Sequence, residues 1–238
     1  MIEKSVKYSC RSCGSENIVK NGKDYKGSQK YLCKDCHSYG TVELKKGYSF
    51  SKKIEILAAY QERSSMRGIQ RVFGVAKTTL ARWLRDLGDC LPSFGESLEE
   101  AKPDDVLELD ELWSFVYSKD NQRWVWIALC RRTRQVVAYF IGDRSAASAQ
   151  ELWNRIPSKY RGCHSFSDYW EAYNNIFENN EAVGKESGET NHVERWNNTL
   201  RQRLGRFVRK SLSFSKSDYF HNVVLFLFIF TYNCSLIS

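Results

Sequence analysis

The chain has 238 residues, a formal net charge of +8 and 42% hydrophobic residues, which excludes a disordered or low-complexity protein. Its three prolines and lack of repeats exclude collagen-like and solenoid architectures. The N-terminus has no apolar signal core, and the longest apolar run, Val223 to Phe230, has eight residues, whereas a membrane helix needs about 20. We therefore expect a soluble cytoplasmic protein without membrane contact. Its basic charge indicates a polyanionic partner.

The charge is unevenly distributed, which indicates several modules. Residues 1–49 and 50–90 are rich in Lys and Arg, whereas residues 96–111 contain eight acids and a single base. Residues 91–97 have the Pro, Gly and Ser of a linker. The sequence predicts a zinc-binding module over 1–49, a helical module over 50–90, a linker over 91–104 and a larger domain over 105–238.

Four of the eight cysteines form two pairs separated by nineteen residues, Cys10-x-x-Cys13 and Cys33-x-x-Cys36. A gap of two residues lets both thiolates of a pair face one point, and two pairs complete a tetrahedral sulfur site suited to Zn²⁺. Two disulfides are the alternative, which an intracellular chain disfavours. Because the protein fills all four positions, the predicted zinc is structural. We expect His37 to be a bystander beside the ligands.

The helical module has the pattern of a helix-turn-helix. Residues 52–62 form one amphipathic stretch, Met66, Ile69 and Phe73 share a second helical face, and a turn at Gly74 precedes a third apolar stripe. The other face of the last helix carries side chains suited to phosphates and base edges: Lys77, Thr78, Arg82 and Arg85. An ordinary three-helix packing unit is the alternative. The adjoining basic zinc module favours DNA binding.

The domain over 105–238 alternates strand-like and helix-like stretches. Val- and aromatic-rich runs predict three antiparallel strands, a helix, a fourth strand and two further helices, at residues 106–117, 123–130, 135–141, 145–156, 163–168, 169–177 and 191–207. The apolar run 223–230 is expected to be a buried terminal helix or an oligomer contact. This order predicts an α/β fold with a mixed sheet and helices.

Three acids in this domain are candidates for a metal site. Asp110 and Asp168 fall at strand ends, and Glu194 lies on the late helix, where it shares one face with Asn198 and Arg201. Oxygen ligands from separate elements suit one or two Mg²⁺ ions, which activate a hydroxyl and stabilise the leaving oxygen in phosphoryl transfer. Each acid alone is more often a solvated surface charge. A carboxylate beside a basic strip is suited to hold a metal against a DNA phosphate.

The C-terminal half resembles the transposases of the insertion-sequence-one family, which have a ribonuclease-H-like catalytic core. The resemblance rests on Leu-Glu-Leu-Asp-Glu-Leu-Trp at 107–113, Ser-Asp-Tyr-Trp-Glu-Ala-Tyr at 167–173, Asn-His-Val-Glu-Arg-Trp at 191–196 and its continuation to 206, and Lys-Ser-Leu-Ser-Phe-Ser-Lys-Ser at 210–217. The zinc-ribbon and helix-turn-helix modules are also similar to that family.

The resemblance implies a catalytic, metal-binding triad of Asp110, Asp168 and Glu194 that uses Mg²⁺ or Mn²⁺. It also implies DNA contacts near the site from His192, Arg195 and Arg201. Glu111 is the rival first acid. Because adjacent side chains of a strand point to opposite faces, only one of the two can serve, and the motif favours Asp110.

The function implied is a DNA transposase that binds the ends of a mobile element, cleaves DNA and transfers 3′ hydroxyls to target DNA. Such an enzyme is expected to act on the prokaryotic nucleoid as a homo-oligomer, at least a dimer on DNA. A DNA-binding regulator without catalysis and a metal-dependent nuclease without strand transfer are the alternatives. The two DNA-binding modules favour recognition of defined ends, and a regulator has no need of the acidic triad.

Overall fold

The chain divides into two units, Met1–Ile54 and Glu55–Ser238. The computed structural model describes residues 7–25, 27–42, 47–90, 93–173 and 176–237. No helix in these ranges is long and apolar enough to span a lipid bilayer.

The first unit contains a small antiparallel sheet of β1 (Ile18–Lys23), β2 (Gln29–Cys33) and β3 (Tyr39–Gly40) in that order. Two similar turns hold the cysteine pairs. The N–H of Gly14 donates to the carbonyl of Cys10, and the N–H of His37 donates to the carbonyl of Cys33. Gly14 and His37 have φ values of 77° and 58°. Each turn needs the left-handed conformation after its second cysteine, which glycine adopts without strain.

Three helices follow, α1 (Phe50–Tyr60), α2 (Met66–Phe73) and α3 (Lys77–Cys90). The N-cap of α2 is Ser65, whose hydroxyl accepts a hydrogen bond from the N–H of Gly68 at 2.9 Å. Gly74 ends α2 in the left-handed conformation, with its N–H donated to the carbonyl of Gln70. The predicted succession of helix, glycine turn and helix is present.

These helices share a hydrophobic core with the domain that follows them. Ile56, Ile69 and Leu80 belong to the same buried cluster as sheet residues such as Val125. The terminal helix α6 (Asp218–Cys234) completes that cluster. The 3₁₀ turn Phe94–Ser97, within the predicted linker, also packs there, because the Phe94 ring lies 5.8 Å from that of Tyr139. The start of the linker, Leu91 and Pro92, lies outside the described residues.

The main sheet has five strands in the order β6-β5-β4-β7-β8. These strands are β4 (Val106–Val116), β5 (Ser118–Cys130), β6 (Val136–Gly142), β7 (His164–Ser167) and β8 (Asn180–Ala182). The first three form an antiparallel meander, whereas β7 runs parallel to β4 and β8 parallel to β7. The predicted α/β fold with a mixed sheet is confirmed.

One sheet face packs on α4 (Ala146–Arg155), and the other on α5 (Asn191–Arg203) and α6. Alternation along β4 sorts its side chains between the two layers. Leu107 and Leu109 belong to the buried cluster of α4, and Leu112 belongs to that of α5 and α6. The run Val223 to Phe230 lies within α6, which confirms the buried terminal helix.

The structure corrects two predicted helices. Residues 169–177 form a 3₁₀ turn at Glu171–Tyr173, with Asn174 and Asn175 outside the described residues. A side-chain hydrogen bond from the N–H of Trp170 to Asp168 starts this turn and competes with helix formation. The late helix ends at Arg203, and residues 205–207 form a separate 3₁₀ turn.

Candidate active site

The three acids predicted as a triad line one cleft. Asp168 directly follows the parallel strand β7, as predicted, and Glu194 lies in the first turn of α5. Asp110 lies inside the central strand β4 and not at a strand end, because β4 continues to Val116. The strands β4 and β7 pair directly. The cleft is therefore built where two strands and one helix of different sequence segments meet.

Asp110 points from β4 towards α5. Its Oδ2 accepts a hydrogen bond of 2.7 Å from Nδ2 of Asn197, and its Oδ1 accepts one of 2.8 Å from the N–H of Glu111. Burial, followed by the adjacent Glu111 carboxylate, raises the pKa of Asp110 to about 7. A bound cation would stabilise the charged form of this half-buried carboxylate, which lies among other carboxylates.

Asp168 and Glu194 are each held by one local contact. Asp168 Oδ1 accepts the N–H of Trp170 at 3.0 Å, and Glu194 Oε1 lies 3.4 Å from the hydroxyl of Thr190. Among the described residues, only the four cysteines of the first unit have ligand atoms gathered around one point. The three carboxylates therefore border an open cleft, in which a metal ion would have to draw them together.

Glu111 points away from α5, as strand alternation predicts. Its Oε1 lies 2.6 Å from an Nη of Arg144, and its Oε2 accepts the Tyr173 hydroxyl at 3.0 Å. Burial, followed by the nearby Asp168 carboxylate, raises the pKa of Glu111. The Arg144 guanidinium also lies 4.3 Å from the ring centroid of Trp170. Glu111 thus fixes an arginine against the turn that holds Asp168, and both Glu111 and Arg144 line the cleft.

Glu108 is a fully buried acid that the sequence interpretation missed. It lies two residues before Asp110 and therefore on the same face of β4. Its Oε2 accepts the N–H groups of His192 and Val193 at 2.9 and 3.0 Å, which are the free donors at the N-terminus of α5. Its Oε1 accepts Nε of Arg131 at 2.8 Å. Glu108 therefore anchors the N-terminus of α5, the helix that carries Glu194, to strand β4.

We predict that Glu108→Gln lowers stability and loosens the cleft. The change leaves Arg131 beside a neutral group, and breaking a buried ion pair costs about 3 kcal/mol. The control is Glu189→Gln, which removes the partly exposed second partner of the same arginine, 2.8 Å away, and should cost under about 1 kcal/mol. Urea unfolding measures both free energies. Equal losses in the two variants would show that Glu108 has no special anchoring role.

The predicted basic residues of α5 lie in two places. Arg201 lines the cleft, and its Nη2 donates to the carbonyl of Trp113 at 3.3 Å. Burial, together with the nearby Arg209, holds the pKa of Arg201 below its usual range. His192 and Arg195 instead line a separate hollow, and Nδ1 of His192 lies 2.6 Å from Glu108.

Two cations that the sequence interpretation did not select, Lys185 and Arg209, also line the cleft. Neither belongs to a motif, since Lys185 lies in the loop after β8 and Arg209 follows the 3₁₀ turn at 205–207. Only the fold brings them beside the acids. The cleft thus presents carboxylates with cations along its border, a charge pattern that suits a metal ion bound against a phosphate.

The four cysteines of the first unit form the geometry of a sulfur site. All their sulfur atoms lie within 4.8 Å of one another. The distance between Cys10 and Cys36 Sγ is 3.6 Å, and that between Cys13 and Cys33 Sγ is 3.7 Å. Zn–S bonds of about 2.3 Å place tetrahedral sulfurs about 3.8 Å apart. The donor set fits zinc, and His37 does not belong to it.

The predicted recognition face of α3 is exposed. Lys77, Thr78, Arg82 and Arg85 are all accessible to solvent. The Arg85 guanidinium lies 5.9 Å from the ring centroid of Phe220, so part of this side chain packs on α6. The other three side chains present the donors that a helix in a DNA groove would use.

Two family models match the chain. A model described as IS1 transposase matches residues 106–233, and a model described as InsA N-terminal domain, a zinc ribbon, matches residues 4–37. The first covers the five-stranded sheet, all three candidate acids and α5. The second covers all four cysteines.

Similar proteins come from insertion elements. The iso-IS1n protein InsB of Shigella dysenteriae is 38% identical over 125 residues, 52% of this chain and 93% of that protein. The IS1 protein InsB of Shigella flexneri is 37% identical over 119 residues, 50% of this chain and 88% of that protein. The IS1 4 protein InsB of Escherichia coli K12 is 36% identical over 119 residues, 50% of this chain and 70% of that protein. The chain therefore belongs to the IS1 transposase family, and is a DDE-type DNA transposase with a ribonuclease-H-like catalytic domain and an N-terminal zinc ribbon.

Proposed function

We propose that this transposase binds the ends of its mobile element, cleaves the DNA there and joins the freed 3′ hydroxyls to target DNA. The observation that carries this proposal is the convergence of Asp110, Asp168 and Glu194 from three elements on one cleft bordered by cations. Carboxylates from separate elements suit hard divalent cations. The bordering cations suit the phosphates that would enter with the DNA.

In this proposal Asp110, Asp168 and Glu194 would hold Mg²⁺ or Mn²⁺. The metal would supply activation of the attacking oxygen and stabilisation of the leaving oxygen. Asn197 orients Asp110 through its 2.7 Å hydrogen bond, and Arg201 and Arg209 would hold the flanking phosphates. The cysteine site would hold one structural Zn²⁺, with no position open for chemistry.

We assign DNA recognition to residues 1–49 and 50–90, a linking role to 91–104 and catalysis to 105–238. Lys77, Thr78, Arg82 and Arg85 would contact the element ends, while His192 and Arg195, outside the cleft, would contact flanking DNA. Pairing two ends requires two recognition modules, so we propose at least a dimer on DNA. Its place of action would be the nucleoid in the cytoplasm.

We predict that Lys77→Ala and Arg82→Ala each weaken DNA binding by about tenfold or more, the lower end of the range for specific contacts. Both side chains are exposed, so folding should be retained. Fluorescence anisotropy with end DNA measures affinity, and circular dichroism checks the fold. Lys119→Ala, an exposed lysine on β5, is the control. Unchanged affinity in both variants would move recognition to another surface.

The direct test incubates the purified full chain with Mg²⁺, a duplex that carries the element's terminal repeats, and a supercoiled target. We expect cleaved ends and joined products on a denaturing gel. Cleaved ends without joined products would favour the nuclease alternative. Specific binding without cleavage, in Mg²⁺ and in Mn²⁺, would favour the regulator.

A further inference from the structure

A succession of basic hollows leads away from the acidic cleft along the second unit. Arg201 and Arg209 line the cleft and also the next hollow. That hollow adds Arg63, from the turn after α1, and Lys210. The same two arginines therefore belong to both sites, and the positive lining is continuous from the carboxylates to the helix-turn-helix.

A separate groove lies beside α2 and α3, and one of its lining residues, Ser64, directly follows Arg63 of the middle hollow along the chain. Five cations border this groove: Arg67, Arg71, Lys77, Arg206 and Lys216. Lys77 is also the first residue of α3, the predicted recognition helix. Serine hydroxyls border the groove too, at Ser64, Ser65, Ser213 and Ser217. We call these cations together the basic track; its members are Arg201, Arg209, Arg63, Lys210, Arg67, Arg71, Lys77, Arg206 and Lys216.

Beyond the cleft, no acid of the described residues lines the hollows of the track to cancel its charge. Within the described ranges, no Asp or Glu lines the middle hollow or the groove, and Arg206 donates to the hydroxyl of Tyr60 at 2.7 Å rather than to a carboxylate. The N–H of Arg63 donates to the carbonyl of Arg203, which fixes the turn to the end of α5. Positive groups with hydroxyls on a fixed surface are what phosphate contacts use, and such contacts position DNA without reading its sequence.

We propose that the basic track binds the sugar-phosphate backbone of DNA and connects α3 with the carboxylate cleft of the same chain. A DNA end held by the helix-turn-helix would then reach the acids of its own protomer and not those of a partner. The shared hydrophobic core of α3 and the catalytic domain supports this, because it holds both ends of the track on one body. The inference rests on the proposed DNA-end function.

The first test measures phosphate contacts without catalysis. The variant Arg63→Gln with Lys210→Gln changes two exposed cations of the middle hollow that lie neither in the cleft nor on α3. The matched control is Lys102→Gln with Lys119→Gln, two exposed lysines off the track. Binding of a 30-bp random-sequence duplex is measured over a range of salt. Each lost phosphate contact reduces the slope of log K against log salt by about 0.9, so the track variant should lose about 1.8 and the control nothing. Equal slopes would overturn the track.

The second test decides which chain receives the DNA end. Chains with Lys77→Ala and Arg82→Ala are mixed with Glu194→Gln chains and given a duplex carrying the terminal repeats. Delivery within one chain predicts a mixture as inactive as its components, because no chain has both intact parts. Recovery of a quarter or more of the wild-type cleavage would overturn that connection. Wild-type cleavage with equal salt slopes would refute the track and keep the proposed function, whereas a changed slope without wild-type cleavage would refute that function and keep the track.

Discussion

Asp110→Asn, Asp168→Asn and Glu194→Gln should each reduce strand cleavage by at least about a hundredfold, because residues that only support metal ligands already contribute about 10- to 100-fold. Each change keeps the shape of the side chain and removes one negative charge from the cleft. Repulsion of the DNA phosphates should fall at the same time, so DNA affinity should stay the same or rise. Cleavage of a labelled end duplex in Mg²⁺ measures the first effect, and a binding assay in Ca²⁺ measures the second.

Glu111→Gln is the comparison variant for the triad. Its side chain points to the opposite face of β4 and pairs with Arg144, so we expect a smaller loss than for any triad member. An inactive Glu111→Gln beside an active Asp110→Asn would show that the two acids have the opposite roles. Wild-type cleavage rates in all three triad variants would favour the regulator.

The stability of the Asp110→Asn variant shows whether its loss of cleavage comes from lost chemistry or from misfolding. The folded pKa of Asp110 is raised from 3.8 to about 7, so the folded chain holds this proton more tightly than the unfolded chain. The protonated Asp110 carboxyl contributes fully to the free energy of unfolding below about pH 4, and this contribution is lost as the pH rises through about 7. Asn cannot ionise, so metal-free Asp110→Asn should be more stable than wild type at pH 8 and similar near pH 4. Thermal unfolding at both pH values checks this.

Removal of zinc should unfold the first unit completely. Among the described residues 7–42, the only buried side chains are Cys10 and Cys33, so the small sheet has no apolar core apart from its ligands. Structural zinc in small domains contributes about 10–16 kcal/mol. A chelator should therefore release about one zinc per chain and abolish the β structure of this unit. It should leave the second unit folded, because the core of that unit is separate.

The zinc experiment needs a metal assay and a probe of each unit. Cys10→Ser with Cys33→Ser should lose zinc and bind DNA more weakly, while the thermal transition of the second unit is unchanged. Cys90→Ser is the matched control, since this exposed cysteine lies on α3, outside the sulfur cluster. Unchanged zinc content in the double variant would disprove the site.

The elements that carry the triad could be predicted because their local patterns agree with their environment. Strand β4 alternates between two buried layers, and its acid pair follows the alternation. The turn after Asp168 could not be predicted in the same way, since the hydrogen bond from Trp170 to the Asp168 carboxylate replaces the helix that residues 169–177 suggest. The residue pattern of 169–177 indicates helix propensity, but it does not show that a side-chain hydrogen bond competes with the helix.

The packing of distant segments against one another could not be predicted from the sequence either. The apolar stripe of α3 indicates a helix that packs, but not that it packs on α6, where a Cβ at Gly88 would lie 3.3 Å from Val223. Glu108 could have been suspected because it precedes Asp110 by two residues, but only the fold places it at the start of α5. Its partners on α5 lie more than eighty positions away along the chain.

The single strand β4 therefore positions most of the candidate active site. Within four residues, β4 anchors α5 through Glu108, presents Asp110 to the cleft and fixes Arg144 through Glu111. Deletion of Leu109 would put Glu108 and Asp110 on opposite faces of the strand, so the anchor of α5 and the cleft acid could not both keep their places. Related mobile elements should therefore vary in length in the loops around this strand and never inside it, and a copy with such a deletion should be inert.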